Sequence, residues 1–191
     1  MILKVEVSII KFIQSCFYTN DYNIIDKTAK VITSRTYRKK YLVLYLLFLI
    51  ITNDFYKIIY IPKIYLFGFL SRNVNLFIKK IFQRRRPFVI DSSILINEDT
   101  TRKKKDTFSF PSNSIQTSLI FYKVLFETFN IIDNLTCNIL LFFIVLITAS
   151  AKILRGLHFP SDILFSIFIF IFLNYLYGFI ASSIIYFLSS I

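Results

Sequence analysis

The chain has 191 residues, a length that suits one domain. Hydrophobic residues make up 55% of it and aromatic residues 18%, and they fall in long blocks that argue for membrane spans over a single water-soluble core. The formal net charge is +12, but its lysines and arginines flank the apolar blocks, so it points to anionic head groups at a membrane surface and away from nucleic acid. One histidine and two distant cysteines, Cys16 and Cys137, exclude a zinc site, and no metal or other cofactor is expected. Both cysteines read as small buried apolar residues.

In chain order, residues 1–40 read as an N-terminal interfacial and polar segment, and 41–191 as a membrane-embedded domain. Residues 1–15 mix apolar and charged positions too finely for a secretory signal peptide. They fit a strand or an interfacial amphipathic segment. Residues 18–40 end in R-T-Y-R-K-K, a basic collar before a first span that runs from Tyr41 through Asn53 to Ile59. A second span covers Ile61 to Ile78. Its Arg72, Asn73 and Asn75 are expected to face the bundle interior, and it delivers Lys79 to the interface. The polar loop 81–110 precedes spans at Ile115–Phe129 (which contains Lys123 and Glu127), Thr136–Leu154 and Ile163–Leu188. The expected fold is an all-α, polytopic transmembrane bundle of about five helices.

The stretch Ala151–Leu164, A-K-I-L-R-G-L-H-F-P-S-D-I-L, holds His158, the single histidine of the chain. Pro160 suits the first position of a helix and cannot continue one from its N-terminal side. A helix is therefore predicted to end near Gly156, with His158 in the turn and Asp162 in the first turn of the next helix. A carboxylate there can reach back to the imidazole and fix its tautomer. It can equally serve only the helix N-terminus, leaving His158 as an interfacial polar residue.

Upstream stand Lys79 and Arg86-Pro87 in a K-x6-R-P spacing, then F-P-S-N-S at 110–114. With the H-x3-D of His158 and Asp162, this order resembles the three-part signature of the type 2 phosphatidic acid phosphatase and haloperoxidase superfamily. The R-R-R-P followed by S-F-P-S looks most like the branch acting on polyisoprenyl diphosphates such as presqualene diphosphate. The resemblance implies a phosphorylated lipid substrate, His158 as the nucleophile that becomes phosphorylated, and Asp162 as its orienting partner. It places Lys79, Arg86, Ser112, Asn113 and Lys152 in a phosphate cradle. Arg84 and Arg85 read instead as a basic collar at the head groups.

Three positions depart from that family pattern. Asn113 stands where the family has glycine, and asparagine tolerates unusual backbone angles better than most residues. Lys152 stands for arginine, so a two-pronged contact becomes a point charge. Ser114 occupies the place of the histidine that protonates the leaving oxygen, and the loss of such an acid costs about 10²–10⁴ in rate. That loss matters most when an alkoxide leaves. A diphosphate expels a phosphate monoester with a second pKa of about 6, which departs without a proton. The residues present therefore suit a diphosphate. The alternative reading is a non-catalytic relative that binds phosphorylated lipids or partner proteins.

Arg35, Arg38, Lys39, Lys40 and the 102–105 basic run lie on the motif side of the spans, against Lys57 and Lys63 on the far side. The excess predicts a motif side facing the cytosol, in the endoplasmic reticulum or another internal membrane. The sequon Asn134-Leu135-Thr136 then falls on the far side.

Overall fold

The computed structural model describes residues 2–17, 24, 27–28, 31–32, 42–43, 46–47, 60–94, 108–129 and 133–189. Among the described residues the regular structure is wholly helical: α1 (Ile2–Phe17), α2 (Tyr60–Phe82), the short α3 (Pro87–Ile90), α4 (Asn113–Phe129), α5 (Asn134–Leu154) and α6 (Pro160–Ser189). The last four predicted spans coincide with α2, α4, α5 and α6 to within a few residues. The first, 41–59, lies outside the described residues apart from 42–43 and 46–47, which are helical.

Two segments, Leu135–Leu154 and Pro160–Phe179, are long and apolar enough to cross a membrane by length and composition. α2 has 23 residues, about 35 Å at the helical rise, but Lys63, Arg72, Lys79 and Lys80 interrupt its apolar pattern. α4 has 17 residues and carries Lys123 and Glu127. Among the described residues, apolarity alone thus supports two of the four expected spans that fall there.

α4 is the central helix, packed against α2, α5 and α6. On one side its Ile115, Leu119 and Tyr122 meet Cys137, Leu141 and Ile163. On another its Ile120 meets Phe67, Ile169 and Leu173. Polarity runs opposite to that of a water-soluble bundle. Ser71, Asn75, Gln116, Ser118, Thr148 and Ser166 are buried, while Phe69, Phe77, Phe142, Phe168, Phe172 and Phe179 face outward. Helices in hydrocarbon distribute their side chains this way, because a polar group finds its partner only inside. Asn75 Nδ2 donates to Gln116 Oε1 and to Asn113 Oδ1 at 3.0 Å, tying α2 to α4. Of the polar residues expected inside α2, Asn75 alone is buried; Arg72 and Asn73 are exposed. Ser71, four residues before Asn75, shares its stripe instead.

The charges that break the pattern of α4 are paired at the end remote from Asn113. Glu127 binds Lys63 Nζ at 2.8 Å and Lys123 Nζ at 3.6 Å, and Lys63 lies 4.6 Å from the centre of the Tyr177 ring. This cluster links α2, α4 and α6.

Residues 2–17 form a helix, which removes the strand alternative. Glu6, Ile10 and Gln14, four residues apart, make one buried stripe, while Val5, Ile9, Phe12 and Phe17 are exposed. Cys137 is buried, but Cys16 is exposed on α1, correcting the expectation that both are interior.

Candidate active site

The predicted helix–turn–helix around His158 is present. α5 ends at Leu154, and Gly156 follows with φ of 59°, a left-handed conformation that glycine adopts without a Cβ clash. The Gly156 amide donates to Ile153 O at 2.8 Å and the Leu157 amide to Lys152 O at 3.0 Å. This bond pair closes a helix C-terminus and turns the chain. α6 then begins at Pro160. His158 sits between the two helices, 6% exposed.

Asp162 serves the helix N-terminus and stands beside the imidazole without bonding it. Its Oδ2 accepts the Phe159 amide at 2.9 Å, the backward reach of an N3 carboxylate that satisfies a helix N-terminus. The same oxygen lies 3.6 Å from His158 Nδ1, longer than a hydrogen bond, and Nδ1 has no hydrogen-bond partner among the described residues. Its Oδ1 accepts Arg84 Nη1 at 2.8 Å.

Arg84 is where the sequence reading fails. Its guanidinium is engaged by protein groups: Nη1 also donates to Ser161 Oγ, Nη2 to Glu6 Oε2, and the guanidinium carbon lies 4.0 Å from the centre of the Phe159 ring. Gln83 reverses the chain after α2 with φ of 42°, and Arg86 is extended, with φ −72° and ψ 153°. The residue before a proline favours that extended region, and extended backbone alternates its side chains. Arg84 and Arg86 accordingly turn inward, while Arg85 is exposed. The R-R-R-P run contained this signal.

Arg86 Nη1 donates to Leu157 O at 2.9 Å and Nη2 to Phe108 O at 3.4 Å. Lys79 Nζ donates to the same Phe108 carbonyl at 2.7 Å, so the two cations of the K-x6-R-P spacing meet on one oxygen. The Ser109 amide donates to Arg84 O at 2.8 Å, fastening the 108–112 segment alongside the arginines.

Ser112 is fully buried. Its carbonyl accepts the Gln116 amide at 3.4 Å at the start of α4, and its own amide donates to Ser166 Oγ at 2.7 Å. Ser166 in turn donates to Asp162 O at 2.7 Å, which ties the start of α4 to that of α6. Ser114 Oγ lies 3.5 Å from Ser112 Oγ. Asn113 turns to Asn75 of α2 instead. It opens α4, and Gln83 is the one non-glycine residue with positive φ among the described residues. Asn113 therefore needs no unusual backbone angle, and the reason anticipated for tolerating it there does not apply.

Burial pushes the His158 imidazole down from its usual 6.5 to about 4. The Asp162 carboxylate opposes that shift, while the charges of Arg86 and Lys152 add to it. The imidazole is therefore neutral at neutral pH, with its lone pair available. Burial also lowers the Arg86 guanidinium to about 10, against the pull of Asp162, and it stays charged. Lys152 lies in the buried last turn of α5. The N-termini of α4 and α6 and the C-termini of α2 and α5 all meet here, and helix N-termini favour anions. The arrangement brings a neutral imidazole together with several cations.

A family model described as the PAP2 superfamily matches residues 40–180, close to three quarters of the chain. No curated protein and no solved structure matches it.

Proposed function

Since the chain belongs to the PAP2 superfamily, whose members act on phosphorylated lipids, we propose that it is an integral membrane phosphatase with His158 as nucleophile. The carrying observation is a buried, neutral His158 beside Asp162, under the charges of Arg86 and Lys152. With Nδ1 turned to Asp162, Nε2 is the nitrogen that attacks. Its lone pair forms the P–N bond while the P–O bond to the leaving group breaks, and that oxygen keeps the electron pair. Water then attacks the phosphohistidine, the P–N electrons return to the imidazole, and inorganic phosphate leaves. Lys79, Arg86 and Lys152 balance charge on the phosphoryl oxygens, and Ser112 with the Asn113 amide offers donors at the start of α4.

The preferred substrate is a polyisoprenyl diphosphate. Ser114, at the general-acid position, has no proton to give an alkoxide near neutral pH, and a departing phosphate monoester needs none. Phosphate release from farnesyl diphosphate, presqualene diphosphate and phosphatidate, with His158→Ala as blank, tests the reading. Binding without turnover would favour the second reading, a non-catalytic lipid-phosphate binder, which Ser114 and Lys152 support.

Two further outcomes are expected. Lys152→Arg restores a forked donor, and one additional net hydrogen bond is worth about 0.5–1.5 kcal/mol. Vanadate and every substrate should therefore bind roughly 2–12-fold tighter, alike for mono- and diphosphates. The second concerns topology: about five spans, with 1–40 before them and the motif end of the bundle in the cytosol. The 90–106 loop should be cleaved by protease added to the cytosolic side of sealed vesicles and protected when the protease is lumenal. Lumenal cleavage would overturn the orientation.

A further inference from the structure

α1 precedes the family-matched segment 40–180, yet its buried stripe touches the chain on both sides of His158. Gln14 Nε2 donates to Leu154 O at 2.7 Å, at the end of α5. Ile10, wholly buried, packs with Leu157, Phe159, Phe88 and Ile94. Glu6 Oε1 accepts the Ser161 amide at 3.0 Å, which otherwise stands among the unbonded donors of a helix start. The other oxygen of Glu6 holds Arg84. Glu6, Arg84, Asp162 and His158 thus form one chain of alternating charge that ends on the imidazole.

We infer that Glu6 is a positioning residue for the reaction, holding Arg84 and, through it, the Asp162 carboxylate that faces His158. The inference rests on the phosphatase reading. Arg84 offers its fork to two carboxylates at once, one from α1 and one from α6. Without Glu6, both prongs are drawn to Asp162, whose Oδ2 must also reach the Phe159 amide and the imidazole. The carboxylate then turns toward Arg84, and Nδ1–H loses the negative charge, 3.6 Å away, that favours its tautomer. Glu6 is 6% exposed and its partner Arg84 is also largely buried, so water replaces the missing charge poorly.

The single histidine permits a test that does not depend on turnover. Full-length protein labelled with ¹⁵N-histidine gives one pair of imidazole nitrogen signals. In wild type at pH 7 they should report the Nδ1–H tautomer, and in Glu6→Gln a mixture of both. Gln keeps an oxygen for the Ser161 amide but loses the charge and turns a donor NH2 toward Arg84 where the second oxygen accepted from it. In turnover, Glu6→Gln should lower kcat about 10–100-fold, as loss of an orienting outer partner does elsewhere, with KM shifted less than threefold (roughly). In an Arg84→Met background the same change should cost less than about twofold, because residues acting in series are not additive. Lys11→Gln removes the 2.8 Å bridge from α1 to Asp91 and should leave both readouts unchanged.

Should Glu6→Gln not fold, Glu6→Asp carries the test: it keeps the charge but is one methylene short, and partial loss of kcat with a mixed tautomer is expected. Wild-type nitrogen signals in either variant, or a full effect of Glu6→Gln without Arg84, would overturn the inference. If wild type hydrolyses no phosphorylated lipid, the phosphatase reading falls by itself, and the tautomer alone decides whether Glu6 orients His158.

Discussion

Replacing His158 with alanine is expected to lower phosphate release from every substrate by roughly 10⁴–10⁶-fold, the range seen when a nucleophile or its orienting partner is removed from an enzyme. No other imidazole exists in the chain, so none can substitute. The pH profile should carry the same residue's mark. Burial lowers the imidazole from 6.5 to about 4, and in the proposed mechanism the neutral form attacks. The acid limb of kcat/KM, corrected for substrate ionisation, should therefore fall at about 4, not at 6.5. Stability follows the same sign. Above pH 6.5 neither the folded nor the unfolded chain protonates His158. As pH falls from 6.5 toward about 4 the unfolded chain gains a proton that the folded one resists, and stability declines. An acid limb at 6.5 would mean that the nucleophile is solvated, contrary to its 6% exposure.

Ser114→His should raise phosphatidate hydrolysis about 10²–10⁴-fold and hydrolysis of an isoprenoid diphosphate far less. The difference comes from the leaving group. An alkoxide must receive a proton as it departs, whereas the phosphate monoester released from a diphosphate is stable as an anion near neutral pH. Ser114 lies in the first turn of α4, partly buried and 3.5 Å from Ser112 Oγ, on the segment fastened to Arg84 through Ser109. A histidine there is delivered by a fixed helix start. Equal gains on both substrate classes would contradict the leaving-group explanation while leaving the nucleophile untouched.

The histidine turn was legible because glycine and proline punctuate it. Gly156 alone tolerates its φ of 59°, and Pro160 starts a helix. The inward charge of Arg86 was legible from its spacing to Lys79, and that of Arg84 was not, because a run of three arginines looks alike until Pro87 is used to set the backbone. Glu6 was beyond reach: it meets Ser161 across 155 positions of sequence, and local pattern carries no record of that contact. The pairing of charges inside two of the predicted spans was out of reach for a related reason. α2 and α4 repeat like membrane helices, but their charges, Lys63, Lys123 and Glu127, are matched only in three dimensions.

The most direct measurement is covalent. Full-length protein is mixed with an isoprenoid diphosphate ³²P-labelled at its terminal phosphorus and quenched in alkaline detergent within a single turnover. Label should appear on the protein, survive alkali, disappear in acid as a phosphorus–nitrogen bond does, map to the peptide containing His158 and be absent from His158→Ala. Release of labelled phosphate with no labelled protein at any time, or equal labelling of His158→Ala, would contradict catalysis through this histidine.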